Sequence, residues 1–308
     1  MEPNARLLLD PGPIDGSILS LQAEHRSTVI WEGQDPGTFH CRRSDAILKR
    51  PPLDMRVQRY LVQAGFYGIY RVGYIQLDWA LITALVERWR VETHTFHLPV
   101  GECSITLQDV AVLLGAPVDG DPVTGCDASP ALTACQELCQ ELLGTAPAPS
   151  DLNGSRLKLT WLAERFTDLA EDADDEAVRR HARAYILQLI GGSLFADKSG
   201  NMVKLMYLSL LRDLEVTGRF SWGSAILACL YRNMCRATKP RAVDISGPLI
   251  VLQLWAWERL AHIQPDRATM LQWILRMLQL RSHYPRTLQE RCHYPRMLQP
   301  RCHYPSYH

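Results

Sequence analysis

The chain has 308 residues, 47% of them hydrophobic and 21% charged, with 33 basic and 33 acidic side chains. That composition is enough to bury one large core or two modest ones; it excludes a disordered chain, and the balanced charge excludes a globally basic nucleic-acid binder. The balance is uneven, because six Arg against one Glu from Arg276 onward put +5 on the tail and leave −5 on the rest.

Residues 1–18 carry an acid at position 2 and follow a three-leucine run with Asp10 and Pro11. That run is too short for a signal-peptide core, so the segment reads as a flexible N-terminus and secretion is not expected. A folded domain is expected over residues 19–264, and helical periodicity dominates it. Asp78 is placed to cap a helix whose Leu81, Ile82, Leu85 and Trp89 fall on one face. Residues 93–105 break this pattern. Thr93 to Leu98 is β-prone, Pro99 to Glu102 turns, and Cys103 to Ile105 returns, which predicts a small β-hairpin. Thr106 then caps a short helix running to Gly115. Residues 116–130 and 144–154 read as loops, the second as a hinge between an N-terminal and a C-terminal half.

Asp174, Asp175 and Glu176 open the next helix, where carboxylates suit the positive end of the dipole. Val178, Ala182, Tyr185, Ile186 and Leu189 form its apolar stripe, Arg179, Arg180 and Arg183 are expected mostly outside, and Gly191-Gly192 is expected to stop it. A further helix is predicted to carry Val203, Met206, Tyr207, Leu210 and Leu214 and to end at Gly218. Ser221-Trp222 begins another, with Trp222, Ile226, Cys229 and Asn233 in line. The stretch from Ile245 to Trp257 is the most apolar of the chain but shorter than the ~18 residues that cross a bilayer, so it predicts a central buried helix after Pro248. The tail repeats RMLQLRSHYP, RTLQERCHYP and RMLQPRCHYP, and a proline every ten residues prevents a long helix or packed core. Residues 265–308 are therefore expected to be a flexible decapeptide-repeat tail. The fold class predicted is mostly α, a multi-helix globular domain with a small β-hairpin near residues 93–105.

Catalytic chemistry finds little support. The nine cysteines (Cys41, Cys103, Cys126, Cys135, Cys139, Cys229, Cys235, Cys292 and Cys302) are scattered and odd in number, which favours free, largely buried thiols in a reducing compartment. His94 and His97, three apart on a strand, would point to opposite faces and share no metal. The spacing of Cys292-His293 and Cys302-His303 matches no zinc pattern. No phosphate-binding glycine motif or nucleophile elbow occurs. Trp79, Trp89, Trp161, Trp222, Trp255 and Trp257 sit within helical patterns and read as core rather than as base-stacking platforms. No catalytic, cofactor or metal residue is assigned. The candidate interaction surface comprises His94, Phe96, His97 and Glu102 on the Thr93–Glu102 hairpin, with Ser221 and Trp222 at the Ser221–Gly223 helix start, because both places join polar or aromatic residues to turn geometry.

Three blocks carry a family resemblance: Leu81 to Gly125, Ala182 to Cys235, and Ile245 to Leu260, with HRSTVIWEG at His25 to Gly33 beside them. Together they resemble plant mobile domain proteins of the MAIN-LIKE group over most of Leu19 to Ile263. The resemblance implies a nuclear domain shared between plant genes and transposable elements, linked to transposon silencing, genome integrity and meristem maintenance. Nuclear protein partners, chromatin-associated ones among them, are expected, and membrane insertion is not. The family carries an aminotransferase-like label, which would need a Schiff-base lysine; none of Lys49, Lys158, Lys198, Lys204 and Lys239 sits in a persuasive cofactor loop. The expectation is a non-enzymatic interaction module without cofactor. The alternatives are a nucleic-acid-binding remnant of a mobile element, working through Arg179, Arg180, Arg183 and the Arg-rich tail, an enzyme of unknown class, or a decayed copy without function.

Overall fold

The computed structural model describes residues 19–40, 49, 52–98, 101–125, 131–196, 200–260 and 263–265. The expected N-terminal segment 1–18, the repeats, Lys198 and the four tail Cys and His residues lie outside these. Among the described residues there are twelve α-helices and two three-stranded antiparallel sheets. None of the helices is long and apolar enough to cross a membrane.

The segment around His25 to Gly33 folds as a clasp. Helix α1 (Arg26–Trp31) is capped by His25, whose Nδ1 accepts the Ser27 backbone N–H at 3.1 Å. Its Nε2 lies 2.8 Å from the Trp89 carbonyl, so Nε2 is the donor and the ring is neutral. Burial, followed by the nearby Arg90 charge, lowers its pKa to about 4. Arg26 is 1% exposed; its guanidinium reaches Glu87 at 3.1 Å, donates to the Ala242 and Gly37 carbonyls, and lies 4.2 Å over the Phe39 ring. The short N-terminal helix thereby joins segments more than 200 positions apart.

Helices α2 (Met55–Gln63) and α3 (Tyr67–Val72) lead to α4 (Trp79–Arg88), which Asp78 caps as expected by accepting from Leu81 N at 3.0 Å. Gly68 in α3 is fixed by close approach, since a Cβ there would stand 2.2 Å from the Leu114 carbonyl oxygen. Trp89, expected as the last apolar position of the α4 face, leaves the helix and opens strand β1 (Trp89–Arg90). It pairs with β2 (Thr95–Leu98), which pairs with β3 (Gly101–Cys103), in register Trp89↔Phe96 and Phe96↔Cys103. The predicted hairpin is thus the larger part of a three-stranded sheet, and its returning strand starts at Gly101 rather than Cys103. Edge-to-face packing of Trp89 on Phe96, at 4.9 Å, favours the extended backbone over another helical turn.

Helix α5 (Leu107–Leu114) has the full capping box: Thr106 Oγ1 accepts from Asp109 N, and an Asp109 carboxylate oxygen accepts from Thr106 N. Helix α6 (Leu132–Leu143) ends at Gly144, beyond which lie β4 (Leu152–Asn153), β5 (Arg156–Lys158) and α7 (Leu159–Arg165). Strands β4 and β5 form a second sheet with β6 (Met202–Lys204), in order β4-β5-β6, which the sequence did not announce. Two- and three-residue strands are too short to display alternation.

Helix α8 (Asp175–Leu189) is capped by Asp174 and buries its whole second half. Gly191-Gly192 does not stop it. The chain runs on through a π turn at Ile190–Leu194, because Gly191 leaves room for Val203 and Leu159 to pack where a Cβ would clash at 2.7 and 2.9 Å. Arg183, expected mostly outside, is 5% exposed. Its guanidinium donates to the Leu142, Leu211 and Arg212 carbonyls and pairs with Glu176 at 2.8 Å, satisfying carbonyls where two other helices end. The single helix expected over Val203 to Gly218 divides into β6, α9 (Met206–Leu210) and α10 (Leu214–Thr217). The Asp213 side chain caps a new start by accepting from Glu215 N and Val216 N.

Helix α11 (Trp222–Ala237) and α12 (Leu249–Arg259) complete the core. Nine of the eleven α12 residues are buried, as the apolar run predicts. Trp89, Trp222 and Trp255 are among the largest fully buried side chains, Trp161 and Trp257 are buried, and Trp79 packs half-buried against the core, so these tryptophans read correctly as packing. Cys135, Cys139 and Cys229 are buried free thiols, and burial pushes Cys139 up to about 12.

Candidate functional site

The two surfaces singled out by sequence meet different stretches of one helix, α11. In the hairpin, His94 adopts a left-handed backbone with φ 53, and its ring stacks on Trp89 at 5.9 Å and meets Tyr231 of α11 at 5.4 Å. Phe96 is fully buried between Trp89 and Trp255, each 4.9 Å away. His97 and Glu102 face each other across β2 and β3 at 3.7 Å and are partly exposed; Glu102 also accepts from Thr95 Oγ1 at 3.1 Å. At the helix start, Ser221 is buried and its Oγ donates to the Val118 carbonyl at 2.6 Å, while Trp222 is fully buried and donates to the Thr217 carbonyl at 3.0 Å. Tyr231 lies nine positions beyond Trp222 on α11, about 13.5 Å along the axis, so the six residues do not converge. Phe96, Ser221 and Trp222 are buried and hold the fold together; His94, exposed although its ring meets Trp89 and Tyr231, and the pair His97 and Glu102 are the ones that reach the surface.

A different place has the geometry of a site. Between the second sheet, the end of the π turn, the second half of α11 and residues 239–246 lies a cleft of about 1050 Å³. Six cations line it, Arg156, Lys204, Arg232, Arg236, Lys239 and Arg241, against one carboxylate, Asp244. Arg232, Arg236, Lys239 and Arg241 are exposed, and Arg156 and Lys204 half-buried. Arg232 and Arg236 stand one turn apart on α11, a like-charge spacing that costs a helix a few tenths of a kcal/mol. The half-buried rings of Phe195 and Tyr207, stacked on each other at 5.2 Å and 9°, line the same space. Trp222 lies behind both, at 6.4 and 6.5 Å, and in turn meets Phe66 at 4.8 Å. The helix start picked out by sequence is therefore the buried support of this cleft.

Chemically the cleft is suited to holding anions. Guanidinium groups stay protonated at any ordinary pH and present planar forks of donors to phosphate or carboxylate, which makes them strong anchors and poor proton carriers. Among the described residues, no group of three or more His, Cys, Asp and Glu side chains is arranged to hold a metal. The cleft was missed because its lining spans Ser155 to Ser246 and depends on strands that sequence did not reveal. One signal was present: Arg232, Arg236, Lys239 and Arg241 put four cations in ten residues without an acid.

A family model described as plant mobile domain matches residues 65–297. Three curated proteins of Arabidopsis thaliana are similar over most of the chain. A protein named serine/threonine-protein phosphatase 7 long form homolog is 52% identical over 84% of this chain and 19% of its own length. Protein MAIN-LIKE 1 is 40% identical over 84% of this chain and 51% of its own. Protein MAINTENANCE OF MERISTEMS is 37% identical over 82% of this chain and 52% of its own. The chain thus spans about half the length of two of these relatives and a fifth of the other. No solved structure matches it.

Proposed function

The chain belongs to the plant mobile domain family, and from that premise we propose that it is a non-catalytic nuclear binding module acting in meristem maintenance and transposon silencing. The meristem role is taken from the name of one relative, 37% identical over 255 residues. The nuclear and silencing roles follow from what the family resemblance implies. The module works by holding partners, chromatin-associated proteins and polyanions among them. The observation that carries this reading is the cleft lined by six cations and a stacked aromatic pair. Arg and Lys that stay protonated bind anions and do not shuttle protons, so such a lining favours recognition over turnover. The phosphatase in one relative's name is not carried over, because the aligned part is only 19% of that protein.

The test has two readouts. A tagged chain is expected to concentrate in nuclei, and the purified chain to bind inorganic polyphosphate with an affinity that falls steeply as salt rises, as counterion release requires. Reversing two cleft charges with Arg232→Glu and Arg236→Glu is expected to abolish that binding. Exclusion from nuclei, or failure of a folded chain to bind any polyanion, would overturn the reading.

A further inference from the structure

We infer that the cleft is a site for single-stranded nucleic acid, an inference that rests on its being an anion-binding cleft and goes on to name the anion. Two features on different elements carry it. The first is a run of cations. Arg232 and Arg236 project from successive turns of α11, about 6 Å apart along its axis, and Lys239 and Arg241 continue beyond its end at Ala237. All four are exposed at the cleft. Several cations spread along one cleft suit a ligand with a repeated charge, such as a phosphodiester backbone, better than one isolated phosphate.

The second feature is the pair Phe195 and Tyr207, from the end of the π turn and from α9, stacked at 9° and lining the same space. An anion has no use for an aromatic wall, whereas a base does: rings beside a cationic track are how proteins hold unpaired strands without reading sequence. Trp222, fully buried, backs both rings and fixes their position. The shape agrees. Duplex DNA is read by an element that protrudes into a groove, and its bases are stacked internally, so a concave cleft of about 1050 Å³ receives a strand whose bases are already free. A phosphorylated peptide would satisfy the cations and leave the rings unused.

The experiment measures binding of the full chain to fluorescent single strands of about 12 nucleotides, as RNA and as DNA, beside a duplex of the same sequence, an abasic strand of equal length, inorganic polyphosphate and a multiply phosphorylated peptide. Both single strands are expected to bind, with RNA and DNA distinguished by whatever difference the ribose hydroxyl makes. The base-bearing strand should bind about tenfold more tightly than the abasic one, an effect of stacking that needs no change to the protein. Arg232→Glu with Arg236→Glu should reduce affinity and flatten the dependence of log K on log salt by about 0.7 per lost phosphate contact. Arg219→Glu, on an exposed Arg paired with Glu215, should change neither. Tyr207→Leu should remove the preference for bases while keeping polyphosphate binding, and Tyr207→Trp should restore it; circular dichroism checks that each variant folds.

Equal affinity for base-bearing and abasic strands, or tighter binding of the duplex or the phosphopeptide, overturns the nucleic-acid assignment and leaves the anion cleft standing. Binding that the double charge reversal leaves unweakened places the contact elsewhere and also overturns it. A folded chain that binds none of the polyanions overturns this inference and the proposed function together.

Discussion

Two buried ionisable side chains show how a charge can serve the fold. Arg183 is enclosed on every side, donating to three backbone carbonyls and pairing with Glu176. Removing it leaves those acceptors desolvated, which is costlier than the mean value of a hydrogen bond suggests. Arg183→Met is expected to lower unfolding free energy by about 3 kcal/mol in urea denaturation, whereas Arg179→Met, at 42% side-chain exposure, stays within about 0.5 kcal/mol of the parent. Buried in this way, Arg183 is out of reach of nucleic acid, unlike Arg179 and Arg180 on the same helix. His25 acts in the opposite direction, because it must remain uncharged. Its pKa falls from 6.5 unfolded to about 4 folded, so its contribution is complete above pH 6.5 and is lost as pH drops toward 4. Stability should decline by up to about 3 kcal/mol across that window, and His25→Gln, measured at the same pH values, should lack that part of the decline.

At the scale of elements, Asp109 links two helices. Its carboxylate closes the capping box of α5 and accepts a 2.5 Å ion pair from Arg259 near the end of α12, and it is nearly buried while doing so. Asp109→Ala removes the cap and leaves Arg259 without its partner, so a loss of about 1–2 kcal/mol is expected, visible as a lower Tm. Arg259→Ala, on a side chain more than half exposed, should cost less. This element was legible beforehand, because a Thr followed three residues later by Asp, before an apolar run, states a helix start in local chemistry. The capped starts at Asp78 and Asp174 were legible on the same grounds. What could not be read were elements whose cause lies far away in sequence. Strands of two and three residues form where Leu157 meets Val203, and the π turn forms where Gly191 admits that same Val203. The cleft inherits this obscurity, being built on those two elements and on α11. Its four clustered cations stand in the sequence, but only the fold shows that they face a cavity with two rings in it.

At the scale of the whole molecule, one continuous core cluster includes Leu61 and Val86 on one side of residues 144–154 and Ile186, Leu230 and Trp255 on the other. Arg26 adds a polar tie between helix α1 and the Ala242 carbonyl. A core shared in this way should melt as one unit, so calorimetry is expected to give a single transition; two resolved transitions would show that the parts before and after that segment fold independently. Helix α11 runs through this shared core as a rod of 16 residues, about 24 Å long. It starts under the aromatic support at Trp222, touches the hairpin at Tyr231 and ends among the cleft arginines. Whatever fills the cleft therefore grips one end of a rod whose middle holds His94 and Ser104 in place. The trace of such a grip would be slower deuterium uptake at amides of the hairpin, read by mass spectrometry at a distance from the bound molecule itself.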